Sequence, residues 1–336
     1  MSVQFTAAEE IAEKVMKGES IAILDVRSKE EMENWHVEGS TVELYNIPFD
    51  EMEDNGEDLE KLPKDKPLYT ICAKGNNSTK AAEYLQGKGF INVRSIDGGM
   101  AAWSEQLEPV KIGDLKNGGT LYQFVRIGKG CLSYVVETNG EAAVIDAARM
   151  TGPYETFAQE HSAKITHVLD THLHADHISG GRKLAEKFGA QYHLPPEDAD
   201  EVVFGYEPVE DGTAVQVGDV KIEAFYSPGH TIGSTSFIID DEYLLTGDIL
   251  FIDSIGRPDL AGKATDWAED LRETLYERYD NLSKDLVVLP AHYADIKEMN
   301  DDGSVSEKLS SLYEQNEGLN IDDEDRFIKR VTENLK

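Results

Sequence analysis

Four short polar motifs, each placed directly after an apolar run, constrain this chain more than any other feature. The densest is Thr171-His172-Leu173-His174-Ala175-Asp176-His177. The others are Ser227-Pro228-Gly229-His230, Thr246-Gly247-Asp248 and Pro290-Ala291-His292. The runs before them, 165–169, 220–226, 243–245 and 286–289, read as strands. In α/β folds, ligating groups gather beyond strand ends, where loops can be shaped without disturbing the core. Imidazoles and carboxylates delivered there can converge on one cation. A polar loop that is His-rich by chance accounts poorly for the pattern, because five of the chain's nine His fall in these motifs. The other four, His36, His161, His167 and His193, lie outside any such setting and read as structural or exposed.

The first 105 residues or so alternate strands and helices, the mark of a parallel sheet. A helix is expected over 4–18, with Thr6 and Glu9 as a capping box and Gly18 as its stop. Strands are expected at 21–25, 68–71 and 91–96, and helices around 30–35, 78–89 and up to Trp103. Cys72 follows the second strand directly and opens the loop Cys72-Ala73-Lys74-Gly75-Asn76-Asn77-Ser78. In such a loop, backbone N–H groups and a helix amino terminus favour a thiolate or persulfide anion. A buried, inert thiol is the ordinary alternative.

Residues 1–107 therefore read as one domain, 108–119 as a Gly- and Pro-containing linker, and 120–336 as a second domain. Three strands at 122–127, 131–137 and 142–146 open the second domain as hairpins. Cys131, inside one of them, reads as a core residue without a redox role. Two polar helices, 305–314 and 322–335, read as a packed carboxy-terminal cap.

The 336 residues carry 32 basic and 65 acidic side chains, a net charge of −33. That balance excludes bulk nucleic-acid binding, which needs clustered Lys and Arg. No apolar run approaches the ~18 residues of a membrane span. The amino terminus lacks the pattern of a signal peptide, and two Cys make no disulfide framework. These features lead to the expectation of a cytoplasmic protein. The oligomeric state stays open, a homo-oligomer included.

The order HxHxDH, His, Asp, His over residues ~120–300 resembles the metallo-β-lactamase superfamily. The resemblance implies an αββα sandwich with metal at one edge, so the whole chain is expected to be α/β, a rhodanese-like parallel sheet followed by that sandwich. Gly256-Arg257-Pro258-Asp259 and Pro290-Ala291-His292-Tyr293 look like the persulfide dioxygenase branch. That branch implies one Fe(II) on His172, His230 and Asp248, two imidazoles and a carboxylate with open positions for dioxygen and sulfur. His174, Asp176, His177 and His292 then orient ligands or form a second metal site. Arg257 is a candidate partner for a carboxylate of a thiol cofactor, and Tyr293 for lining the same pocket.

Asp25-Val26-Arg27, His36-Val37-Glu38-Gly39-Ser40, the Cys72 loop and Asp97-Gly98-Gly99-Met100-Ala101-Ala102-Trp103 together resemble the rhodanese family over residues 5–105. The implied role of Cys72 is to accept a sulfane sulfur and pass it on, with Lys74, Gly75, Asn76, Asn77 and Ser78 forming its loop. Rhodanese loops often carry Arg here, whereas this one has only Lys74. Less positive charge is expected to raise the Cys72 pKa and weaken thiosulfate binding.

Joined, the two resemblances imply oxidation of a low-molecular-weight thiol persulfide by O2 to sulfite and free thiol, coupled to sulfur transfer among persulfide, sulfite and thiosulfate. One alternative is a dinuclear-zinc (two Zn) thioester hydrolase of the glyoxalase II type. Another is a sulfur carrier whose metal domain is not catalytic. A nuclease of the same superfamily conflicts with the charge.

Overall fold

The computed structural model describes residues 2–173, 179–259 and 264–333. Two compact units divide the chain, one from residues up to Glu108 with 126–130, the other from Pro109–Val125 and residues from 131 onward.

In the first unit, five strands form one sheet in the order Gln4–Thr6, Val93–Ile96, Leu68–Ile71, Ile21–Asp25, Val42–Asn46. Every pairing in it is parallel. The strands Ile21–Asp25 and Leu68–Ile71 are buried along their whole length. A strand covered on both faces reads as a continuous apolar run, which is why these two are visible in the sequence. The two edge strands are not, because the other edge strand, Val42–Asn46, is only partly buried and Gln4–Thr6 is three residues long. The expected capping box at Thr6 and Glu9 does not form. Thr6 pairs with Ile96 in the sheet, and the helix Ala8–Met16 starts after Ala7 with no side-chain cap.

Residues 108–119 are not a plain linker. Glu108–Asp114 is a strand at the edge of the second sheet. Its alternation of exposed and half-buried residues is what an edge position permits, and it hides the strand from an apolar-run reading. That sheet has seven strands, in the order Glu207–Pro208, Gln191–Leu194, Lys164–Leu169, Glu141–Ile145, Cys131–Thr138, Thr120–Arg126, Glu108–Asp114. A third sheet has six, in the order Ala214–Val217, Val220–Tyr226, Thr235–Ile239, Tyr243–Gly247, Val287–Pro290, Glu307–Lys308. Both are mixed, as the metallo-β-lactamase reading expects.

The third sheet brings three of the four motifs to one edge. Val220–Tyr226 and Tyr243–Gly247 each run antiparallel to Thr235–Ile239, so they point the same way. Tyr243–Gly247 is parallel to Val287–Pro290, with Gly247 opposite Pro290. Residues following these strands therefore emerge together. The carboxy-terminal helices Leu309–Gln315 and Glu324–Thr332 bury Leu309, Leu312, Phe327 and Val331 against Leu271 and Leu275. No helix among the described residues is long and apolar enough to cross a membrane.

Candidate metal centre and sulfur-transfer loop

His172, His230 and Asp248 meet, each offering one ligand atom within 4.8 Å of the others. The Nε2 atoms of His172 and His230 lie 3.7 and 3.5 Å from Oδ2 of Asp248. These gaps exceed a normal N–H···O hydrogen bond. They suit donors sharing one ion at bonds of about 2 Å. The imidazole rings of His172 and His230 stand nearly perpendicular, at 86°. Two imidazoles and one carboxylate disposed this way fit a divalent cation and leave part of its coordination sphere for other ligands.

Each donor is held from behind. Nδ1 of His172 lies 2.9 Å from the Thr171 hydroxyl, which donates to both carboxylate oxygens of buried Asp146 at 3.0 Å. Nδ1 of His230 donates to the Arg257 carbonyl at 2.7 Å. Nδ1 of His292 donates to Oδ1 of Asp248 at 2.6 Å, leaving Oδ2 toward the two other His. Burial works to raise the Asp248 carboxyl, but His292, His172 and His230 hold it well below the usual carboxylate range. Burial likewise works against a charged His292, yet the Asp248 carboxylate pushes it up to about 11. Outer partners of this kind fix ring orientation and ligand basicity.

Arg257 is exposed, and its backbone carbonyl accepts from the His230 ring. One sequence reading changes here. Cys131 is half-buried, not a core residue; it bridges His292 backbone to backbone, and its thiol bonds the His292 ring. Tyr293 is half-buried next to His292. His174, Asp176 and His177 lie outside the described residues. His167 and His193 contact each other, Nδ1 to Nε2 at 3.0 Å, on neighbouring parallel strands.

Cys72 sits just past the strand Leu68–Ile71, where the helix Asn76–Gly87 begins. It is 5% exposed but faces a cleft of about 770 Å³. The Gly75 N–H donates to its sulfur at 3.1 Å, and the Ser78 hydroxyl lies 3.5 Å away. Ser78 Oγ in turn accepts from the Ser95 hydroxyl at 3.0 Å and donates to the Gly75 carbonyl at 3.0 Å. Burial works to raise the Cys72 thiol. Hydrogen bonds from Ser78 and from the backbone at Lys74 and Gly75 outweigh it, so the net shift is downward. The expected rise from missing positive charge is therefore overcome by N–H and O–H donors.

The turn at Gly98-Gly99 braces this loop. Met100 N–H donates to the Cys72 carbonyl at 2.8 Å and Ala101 N–H to the Ala73 carbonyl at 3.0 Å. A Cβ at Gly99 would fall 2.1 Å from the Cys72 carbonyl oxygen, so nothing larger than Gly fits. Elsewhere in the cleft lining, the Arg27 guanidinium grips buried Asp25, Nη2 to Oδ2 at 2.6 Å, and also the Trp35 carbonyl. Glu31, Asp50, Glu51 and Asp58 share the cleft lining with Arg27, Lys29 and Lys74, so the cleft has no excess of positive charge.

Known proteins match this chain in two parts. Residues 7–106 match the rhodanese-like domain, and residues 126–292 match the metallo-beta-lactamase superfamily. The mitochondrial persulfide dioxygenase ETHE1 of Homo sapiens is 32% identical over 158 residues, 45% of this chain and 59% of that protein. A hydroxyacylglutathione hydrolase of Rhodopseudomonas palustris is 31% identical over 119 residues, 35% of this chain and 46% of that one. The crystal structure of a metallo-beta-lactamase from Staphylococcus aureus superposes with a TM-score of 0.59 at 28% identity, covering 64% of this chain and 68% of that chain. The chain spans little more than half of the human relative and less than half of the hydrolase. Fold, motifs and matches agree: the protein is a rhodanese-like domain followed by a domain of the metallo-beta-lactamase superfamily.

Proposed function

We propose that the second domain oxidises a low-molecular-weight thiol persulfide with O2, and that the first moves sulfane sulfur through Cys72. The overall oxidation balances as RSSH + O2 + H2O giving RSH, sulfite and two protons. The convergence of His172, His230 and Asp248 carries this reading. Likeness to the human persulfide dioxygenase supports the choice of reaction over the others that the superfamily hosts.

His172, His230 and Asp248 would hold one Fe(II), which would supply Lewis acidity and redox chemistry. The chain's own residues prepare that centre. His292 holds one oxygen of Asp248 so that the other faces inward. The Arg257 carbonyl and the Thr171–Asp146 pair fix which ring nitrogen of His230 and His172 points inward. His174, Asp176 and His177 are assigned to orienting ligands around it, and Tyr293 to lining the substrate pocket.

In the first domain, the Cys72 thiolate attacks the sulfane sulfur of a persulfide donor. The donor's S–S bond breaks, its thiolate leaves with a proton from solvent, and a Cys72 persulfide forms. Sulfite then takes the outer sulfur, giving thiosulfate and restoring the Cys72 thiolate. The Gly75 N–H stabilises the anionic sulfur at each stage, and the Ser78 hydroxyl turns its proton from the Gly75 carbonyl toward the thiolate once the thiol has lost its own. Sulfite made by one domain is the acceptor in the other, which gives the fusion a chemical reason.

A dinuclear-zinc thioester hydrolase is the competing reading, favoured by the likeness to hydroxyacylglutathione hydrolase. An oxygen-electrode assay with glutathione persulfide separates the two. The proposal expects O2 uptake matched by the sum of sulfite and thiosulfate formed, and no cleavage of S-lactoylglutathione. Thioester cleavage without O2 uptake would replace it with the hydrolase.

A further inference from the structure

Asp198 ends a short turn, Pro196–Asp198, that follows the strand Gln191–Leu194. It belongs to none of the four motifs. Its Oδ2 accepts from the Leu173 N–H at 3.0 Å and from the Thr231 hydroxyl at 2.7 Å. Its Oδ1 accepts from the Gly233 N–H at 2.7 Å. Leu173 directly follows His172, and Thr231 directly follows His230. Among the described residues, every hydrogen bond to this carboxylate comes from one of these two ligand-bearing segments.

We infer that Asp198 is a positioning residue that locks the His172 and His230 segments together and so sets the separation of the two imidazoles. The inference rests on the metal-centre reading above, though not on which reaction the centre performs.

The chemistry requires a carboxylate. Three donors converge, and only an acceptor-only group with two oxygens satisfies all of them. Hydrogen bonds to an ionised acceptor are also roughly twice as strong as neutral ones. An amide in its place would turn an NH2 toward at least one N–H or O–H. A second observation points the same way. A Cβ on Gly233 would lie 2.5 Å from Asp198 Cγ and 2.6 Å from Oδ1, so the 229–235 segment closes onto Asp198 with no room for a side chain. Among the described residues, the Thr235 N–H also donates across the two segments, to the Thr171 carbonyl at 2.8 Å. That bond lies ahead of His172, so it leaves the peptide after His172 for Asp198 to hold.

The test uses full-length protein stripped of metal and titrated with Co(II) against a competing chelator, with the visible Co(II) spectrum recorded. Asp198→Ala is expected to weaken Co(II) binding by ~10–100-fold, the usual effect of removing a partner behind the ligands. Asp198→Asn and Gly233→Ala are expected to weaken it by ~10-fold. All three should shift the ligand-field bands, while far-ultraviolet circular dichroism stays that of wild type. Wild-type affinity and spectrum in folded Asp198→Ala would overturn the inference. If that variant does not fold, unchanged affinity and spectrum in Asp198→Asn overturns it instead. A wild-type protein that binds no divalent metal would remove the metal-centre reading itself, and this inference with it.

Discussion

His292 donates from Nδ1 to Oδ1 of Asp248 at 2.6 Å, so one oxygen of the carboxylate is occupied and the other faces His172 and His230. The register that places Gly247 opposite Pro290 creates this contact, since the next residues along both strands lead to Asp248 and His292. His292→Ala is expected to leave Asp248 free to rotate and to weaken metal binding by ~10–100-fold. Chelator competition on the variant checks this; unchanged affinity would show that His292 does not orient the carboxylate.

Ser78 provides the strongest of the bonds that lower the Cys72 thiol. Ser78→Ala should therefore raise the Cys72 pKa toward its ordinary value. For a thiol, a higher pKa means less thiolate at neutral pH, so the inflection in alkylation rate against pH moves upward. Above pH 7, each unit of that movement lowers the thiolate fraction at pH 7 by about tenfold, partly offset by the greater nucleophilicity of the more basic thiolate. Iodoacetamide kinetics across pH 5–10 give the answer, and an inflection that stays in place would assign the low pKa to backbone donors alone.

Cys72→Ser should abolish sulfur transfer and spare O2 uptake, because the nucleophile and the metal-binding side chains belong to separate domains. Parallel assays of thiosulfate formation and O2 consumption test the division. Loss of O2 uptake with metal still bound would show that the oxidation depends on the rhodanese-like domain.

His193 is depressed to about 4, first by burial and then by neighbouring His167. Its ordinary value is near 6.5. Between those pH values the unfolded chain binds a proton that the folded chain refuses, so stability falls as pH drops from about 6.5 toward 4. The loss attributable to this one group is up to about 3 kcal/mol. Urea unfolding of wild type and His193→Gln at pH 7 and pH 5 measures it. The variant should show the smaller pH dependence, and equal slopes would contradict the assignment.

Much of this was legible in the chain. The central strands Ile21–Asp25 and Leu68–Ile71 are covered on both faces, and Tyr243–Gly247 and Val287–Pro290 largely so; their apolar content announces them. Ligand-type residues directly after such runs could then be placed at a common edge. Edge strands such as Glu108–Asp114 were hidden because half their side chains meet solvent. The second layer of the centre was hidden for other reasons. Arg257 acts through its carbonyl, which any residue carries. Asp198 is one acidic residue among 65 acidic side chains, and only the folded chain brings Leu173, Thr231 and Gly233 to it. Cys131 reaches His292 through an isolated bridge that no local pattern foretells.

The central claim is that His172, His230 and Asp248 hold a single redox-active iron. Metal analysis of protein purified without oxygen, wild type beside Asp248→Ala, tests it most directly. About one iron per chain is expected in wild type and almost none in Asp248→Ala, since a carboxylate ligand has been removed. Two zinc ions per wild-type chain, or iron retained in full by Asp248→Ala, would contradict it.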